Sequence, residues 1–69
     1  MTNGTVSWFD TNGGFGFITP DSGDPELFVD FTAIQGIELT LHKDQRVAFE
    51  ITRGTMGLHA TSVRLLTAV

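Results

Sequence analysis

The chain has 69 residues, of which 41% are hydrophobic, and its four basic and eight acidic side chains give a formal net charge of -4 at pH 7. This length predicts one domain over residues 1–69 and excludes a multi-domain enzyme. The acidic balance argues against a protein that binds polyanions through charge alone.

Turn-forming residues interrupt the chain repeatedly and leave short segments rich in Val, Ile, Phe and Thr. No segment keeps the apolar period of a helix for long, so this spacing predicts several short strands. We place the strands at residues 4–10, 14–19, 26–31, 45–52 and 58–66, with one turn of 3₁₀ helix at 31–34. The predicted fold class is all-β, and five strands is the count of an OB-type barrel.

The first three strands contain more large apolar side chains than one face can hold. Phe15 and Phe17 share one face of the second strand, and Ile18 lies on the other. In the first strand, the adjacent Trp8 and Phe9 point inward together only if a bulge intervenes. The predicted core contains Val6, Phe9, Ile18, Leu27 and Val29. The face that is left outside contains Trp8, Phe15, Phe17 and Phe28, with Phe31 at its margin.

The fourth and fifth strands alternate more regularly between apolar and polar side chains, as a sheet with one buried and one wet face requires. The residues predicted to face the interior are Val47, Phe49, Ile51, Thr61, Val63 and Leu65.

A contiguous patch of exposed aromatic rings on a small domain indicates a binding surface, because monomers rarely expose one without a ligand or partner. Unpaired nucleic-acid bases suit such a surface, since every base has a π-face that stacks on an aromatic ring. Gly14 and Gly16 lie between the phenylalanines, and we interpret them as room for a base or its backbone to approach the sheet.

Several motifs resemble those of bacterial cold shock proteins. Residues 4–10 (GTVSWFD) resemble that family's first strand, residues 13–18 (GGFGFI) its RNP1-like motif and residues 27–31 (LFVDF) its RNP2-like motif. The segments at 32–36, 44–50 and 57–60, together with Val63, continue the match over essentially the whole chain.

The resemblance implies a closed five-stranded antiparallel β-barrel that binds single-stranded RNA and DNA with little sequence specificity. It assigns base stacking to Trp8, Phe15, Phe17, Phe28 and Phe31. This chain departs from the family where Ser7 and Gly13 replace usual lysines, Asp10 an asparagine and Asp30 a histidine. The segment 36–41 is also shorter than usual and lacks a loop aromatic.

Some of these residues have two interpretations. Phe31 belongs with the core by strand alternation and turns outward only by the resemblance. His59 is either a base-stacking residue at the edge of the patch or an ordinary surface histidine. Lys43 and Arg53 are candidate phosphate contacts, and Arg46 is a further candidate unless it is turned away from the aromatic patch.

The leading hypothesis is a cytoplasmic RNA chaperone that holds unpaired single strands and needs no catalytic residue. The alternative is a diverged barrel that uses the same face to bind a protein or a second copy of itself, and the acidic balance supports it. We expect no bound cofactor or metal, no membrane, and no small-molecule substrate. The oligomeric state is expected to be a monomer, or a weak or domain-swapped homodimer exchanged at the loop after Gly36.

Overall fold

The computed structural model describes residues 2–36, 39–55 and 57–66. It contains the strands β1 (Thr2–Asp10), β2 (Phe15–Pro20), β3 (Leu27–Asp30), β4 (Arg46–Gly54) and β5 (Gly57–Leu65), with a 3₁₀ turn at Phe31–Ala33. All five predicted strands and the 3₁₀ turn are confirmed, with ends that differ by at most two residues. Residues 37 and 38, in the loop predicted as an exchange point, lie outside the described residues. Within the described residues, no helix is long and apolar enough to span a membrane.

The strands close into a barrel in the order β1-β2-β3-β5-β4, with β4 pairing back to β1. The predicted closed barrel is confirmed, and the predicted antiparallel pairing holds at four of its five junctions. β3 and β5 run parallel, with Phe28 opposite His59. The reason is the odd number of strands, because directions that alternate around a ring of five leave one pair pointing the same way.

The barrel interior is lined by residues of every strand and by two residues of the connecting segment, Ile34 and Leu41. Of the predicted core, Val6, Ile18, Leu27, Val29, Val47, Phe49 and Val63 are buried. Phe9 is half-buried and packs against this cluster. The core therefore uses one face of each strand and leaves the other to solvent.

A bulge in β1 lies directly before the adjacent aromatic residues Trp8 and Phe9, which occupy opposite faces of the strand by ordinary alternation. The pairing with β2 shifts between Val6 and Trp8, so that Ser7 is the extra residue. Val6 and Phe9 therefore both face the interior, although they are three residues apart. Trp8 turns outward and is 47% exposed.

A second irregularity overturns part of the predicted core. The pairing of β4 with β5 shifts opposite Ser62, whose φ is 52°. The extra residue changes the phase of β5, so Ala60 and Val63 are buried instead of a regular series. The prediction of Thr61 as core is therefore wrong. The prediction of Leu65 as core is wrong for a different reason, because Leu65 keeps the phase of Val63 and stands opposite Val47 but lies at the uncovered end of β5. Thr61 is half-buried and Leu65 is exposed.

Ile51 is also wrongly predicted as core, for a different reason. It keeps the alternation of Val47 and Phe49 but is 40% exposed. Its side chain borders a shallow hollow that it shares with Pro25 and Leu58. Alternation sets which face of the strand Ile51 occupies, but no other element covers that face fully.

The two central glycines make room for protein and not for a ligand, which corrects the interpretation from sequence. A Cβ on Gly16 would lie 2.2 Å from the Trp8 carbonyl oxygen and 2.7 Å from the Phe9 Cα. A Cβ on Gly14, where φ is +74°, would lie 2.8 Å from the Phe31 ring. Gly16 thus allows β1 to approach β2, and Gly14 allows Phe31 to pack.

We predict that Gly16→Ala lowers the free energy of unfolding by more than about 3 kcal/mol, because the added carbon meets backbone that cannot move aside. Gly23→Ala is the control, since Gly23 has a φ of +88° with nothing within 4 Å of its Cβ position. It should lose only about 1 kcal/mol from backbone strain. Urea unfolding of both variants checks this, and equal losses would contradict the close-approach argument.

Candidate nucleic-acid interface

Four aromatic rings form one continuous surface on the outer face of β1, β2 and β3. We call Trp8, Phe15, Phe17 and Phe28 the aromatic platform. Ring centroids lie 5.6 Å apart for Trp8 and Phe15, 6.3 Å for Trp8 and Phe17, 6.2 Å for Phe15 and Phe28 and 6.0 Å for Phe17 and Phe28. Each ring therefore contacts two others, which fixes the platform before any ligand arrives.

Strand register explains this arrangement. Phe17 lies directly opposite Trp8 on β1 and Phe28 on β3, so three rings form a row across three strands. Trp8, Phe17 and Phe28 are 47%, 37% and 42% exposed. Phe15 lies two residues from Phe17 on the same face of β2 and is half-buried. The outward orientation predicted for these four residues is confirmed.

Gly13 contributes to the position of Phe15. A Cβ on Gly13 would lie 2.4 Å from the Phe15 Cε1 atom. The ring of Phe15 therefore lies over the backbone of the β1–β2 turn, in space that a side chain at position 13 would occupy. The departure from the usual lysine removes a charge and also permits this ring position.

Phe31 lies at the margin of the platform and is 47% exposed. It escapes strand alternation because β3 ends at Asp30 and Phe31 begins the 3₁₀ turn. Its backbone N–H donates to the Gly14 carbonyl at 2.8 Å, and its ring packs against Gly14. Of its two interpretations, the outward one is confirmed.

His59 lies beside the platform on the side of β5. It is half-buried and stands opposite Phe28 across the parallel pair. A Cβ on Gly54 would lie 2.8 Å from the His59 Cε1 atom, so the imidazole packs over the end of the β4–β5 hairpin. This position supports the interpretation of His59 as an edge residue of the platform.

A cavity of about 750 Å³ opens beyond Phe28. The segment from β3 through the 3₁₀ turn pairs with β5 at two positions, Phe28 opposite His59 and Ile34 opposite Val63. Between these points the backbones separate. The lining contains the polar residues Asp30, Thr32, Gln35, Thr55, Thr61 and Ser62. Sequence reasoning missed this cavity, because its two sides are distant in sequence and no motif marks them.

The two aspartates that depart from the family pattern organise the backbone at each side of Phe15. Asp10 Oδ1 accepts hydrogen bonds from the N–H groups of Asn12 at 3.0 Å and Gly13 at 3.1 Å. Asp30 caps the 3₁₀ turn, since its Oδ1 accepts from the Thr32 N–H at 2.9 Å and from the Thr32 hydroxyl. Both therefore have structural roles in addition to their charge. Among the described residues, no group of three acidic, histidine or cysteine side chains is arranged to hold a metal ion.

A third acidic residue beside this face, Glu26, was missed by the sequence analysis. It directly precedes β3, at a position that alternates with Leu27 as Phe28 does. The Thr19 hydroxyl donates to Glu26 Oε2 at 3.4 Å and also hydrogen-bonds the Ser7 hydroxyl. Ser7 stands where a lysine is usual. This margin of the platform is therefore polar and acidic, without the cation expected there.

One of the candidate basic residues is held in an ion pair, and two others are exposed without one. Arg46 forms a two-point ion pair with Asp21, with nitrogen–oxygen distances of 2.7 and 2.5 Å, and also donates to the Thr5 hydroxyl at 2.9 Å. The hydrogen bonds from Arg46 lower the pKa of Asp21, and the same contact raises the pKa of Arg46. Arg46 is thus engaged by Asp21, whereas Lys43 and Arg53 are exposed and form no ion pair with the other described residues.

Comparison with known proteins supports the resemblance to cold shock proteins over nearly the whole chain. The model of the 'Cold-shock' DNA-binding domain matches residues 2–66. A cold shock protein of Arthrobacter globiformis is 49% identical over 67 residues, covering 96% of this chain and 100% of that protein. The probable cold shock protein A of Mycobacterium tuberculosis is 48% identical with the same coverage. Cold shock-like protein CspG of Escherichia coli is 51% identical over 61 residues, 87% of each chain.

The cap formed by Asp30 leads to a prediction about stability. Asp30→His removes the oxygen that accepts from Thr32, and we expect it to lower the free energy of unfolding by about 1 kcal/mol. Asp30→Asn keeps an accepting oxygen and should lose no more than a few tenths of a kcal/mol by the same ranking. Urea unfolding measures both, and a histidine variant as stable as the parent would show that the cap contributes nothing.

Proposed function

This chain belongs to the cold-shock DNA-binding domain family, and we propose that it is a single-strand nucleic-acid-binding protein that acts as an RNA chaperone. The observation that supports this most directly is the aromatic platform, whose rings are held in contact with one another while one face stays open to solvent. A stacked base covers about the area of one such ring.

Stacking supplies the affinity in this mechanism. Each base–ring contact contributes about 1 to 3 kcal/mol, whichever base is bound. A base in a duplex is already stacked on its neighbours and presents no free face, so the platform selects single strands. The rings of Trp8, Phe17 and Phe28 form a row of successive stacking surfaces across three strands.

Chaperone activity follows from binding that is general and reversible. A protein that holds unpaired bases for a short time disfavours hairpins and then releases the strand. Stacking on rings reads no base edge, so it acts on many sequences. The proposed function requires neither a catalytic residue nor a cofactor, and it places no demand on the acidic residues beyond the turns that they cap.

Electrostatics has a smaller part in this proposal. Lys43 and Arg53 are the proposed phosphate contacts, because both are exposed and Arg46 is engaged by Asp21. The turn that contains Lys43 is tied to β1, since the Asp44 N–H donates to the Val6 carbonyl at 2.8 Å. Val6 is two residues before Trp8, so this turn lies next to the platform end of β1.

The alternative is a protein-interaction module. The carboxylates of Asp10, Glu26 and Asp30 at the margin of the platform favour a protein partner over a nucleic-acid strand, whose phosphates are also negative. Trp8 is the single tryptophan of the chain, and its fluorescence separates the two functions. Titration with a single-stranded pyrimidine oligomer should quench the emission, whereas a duplex of the same length should not. Absence of quenching by either would favour the interaction module.

We predict that Phe15→Ala and Phe17→Ala each weaken single-strand binding by about 1 to 3 kcal/mol, because each removes one stacking surface. Ile51→Ala is the matched control, since Ile51 is about as exposed as Phe17 but lies outside the platform. It should bind as the parent does. Fluorescence titration measures affinity, and urea unfolding confirms the fold. A variant that unfolds while its residual folded fraction binds normally would identify that ring as core.

Salt dependence tests the part assigned to cations. We expect a plot of log affinity against log salt concentration to have a slope that corresponds to one to three phosphate contacts, at about -0.7 each. Lys43→Gln or Arg53→Gln should make the slope shallower by about one contact. Arg46→Gln should leave it unchanged, because Arg46 is held by Asp21. A steep slope in the parent would contradict a platform that binds mainly by stacking.

A further inference from the structure

The cavity beyond Phe28 begins where the aromatic platform ends. Phe28 belongs to the platform and also lines the cavity, with His59 opposite it. The cavity therefore adjoins the ring face on which a base would stack at Phe28. The polar groups that meet an edge of this base determine which base is favoured, since stacking itself is tolerant of sequence.

Asp30 is the charged group of this lining, and its orientation is fixed. Oδ1 accepts two hydrogen bonds from Thr32, which pins the carboxylate at the entrance of the 3₁₀ turn. Oδ2 accepts no hydrogen bond from the residues that the structure describes. It is therefore the acceptor that remains for a ligand in the cavity, and Asp30 lies two residues along β3 from Phe28, on the same face.

A carboxylate oxygen distinguishes bases by their hydrogen-bond donors. Cytosine, adenine and guanine have exocyclic amino groups, which donate to such an oxygen. Uracil and thymine have carbonyl oxygens at the corresponding positions, and these are repelled by the carboxylate. Their single N–H donor lies between two carbonyls, so a carboxylate approaches it poorly.

We propose that Asp30 makes the subsite beside Phe28 prefer a base with an exocyclic amino group over uracil or thymine. This inference rests on the proposed function, because it requires a bound single strand. It adds to that function a preference at one position, while the rest of the platform remains tolerant. A histidine at this position, which is usual in the family, has no carboxylate to impose the preference.

The test compares cytosine with uracil, which have rings of equal size and differ in the group at position 4. The probes are a heptamer of deoxyuridine and the same heptamer with deoxycytidine at its centre. Trp8 fluorescence is titrated at low salt and pH 7.5. The parent should bind the cytosine-containing heptamer about fivefold more tightly, as one charged hydrogen bond at a partly wet site provides.

Asp30→Asn is the decisive variant. The asparagine oxygen replaces Oδ1 as the acceptor for Thr32, so the NH₂ group takes the position of Oδ2 and donates into the cavity. Uracil then presents a matching carbonyl, and the preference for cytosine should vanish or reverse. Asp10→Asn is the matched control, because it makes the same change of charge at the other side of Phe15 and at another turn-capping carboxylate. It should keep the fivefold preference.

The outcomes separate the inference from the function. Equal binding of the two heptamers by the parent overturns the role of Asp30 and leaves the proposed function standing. A cytosine preference that survives in Asp30→Asn overturns the role of Asp30 as well. Loss of the preference in Asp10→Asn also overturns that role, because net charge would then explain the preference. Failure of the parent to bind either heptamer overturns the proposed function and this inference together. Urea unfolding of each variant establishes that the compared proteins are folded.

Discussion

The barrel interior has room for the side chains of only one face of each strand. This constraint determines which side chains remain on the outer surface. Ile18 and Val29 occupy the interior, which leaves the phenylalanines of the other face of β2 and β3 in solvent. Exposed aromatic area is unfavourable in water unless a ligand covers it. The rings reduce this exposure by contacting one another, and the same contacts hold them as a surface on which bases stack.

Alternation of side chains explains why much of this was predictable and where prediction stopped. It placed Phe17 outside and Val29 inside, because both lie in regular stretches of strand. It failed at Thr61, since the bulge at Ser62 changes the phase of β5 and a serine at this position does not indicate a bulge. It failed at Leu65 because that residue keeps the phase of Val63 but lies at the exposed end of β5. Phe31 was undecided for a related reason: its orientation depends on where β3 ends.

The glycines and aspartates show a second limit of sequence reasoning. Residue type indicated that Gly16 permits a close approach and that Asp30 adds negative charge. It did not indicate which group approaches Gly16 or which group the Asp30 carboxylate contacts. In the structure Gly16 admits the backbone of β1, and Asp30 caps the 3₁₀ turn. Both answers involve partners that adjoin these residues only after the strands have paired.

The position of the cavity follows from the number of strands. Five strands cannot alternate in direction around a closed ring, so one junction must be parallel, and here it is the junction between β3 and β5. Its two paired positions, Phe28 with His59 and Ile34 with Val63, are separated along the chain by the 3₁₀ turn, whose residues do not pair with β5. The polar side chains of Asp30, Thr32 and Gln35 on one side, and of Thr55, Thr61 and Ser62 on the other, line the space between them. The irregular junction thus places the polar lining of the cavity directly beside Phe28, at one end of the row of rings.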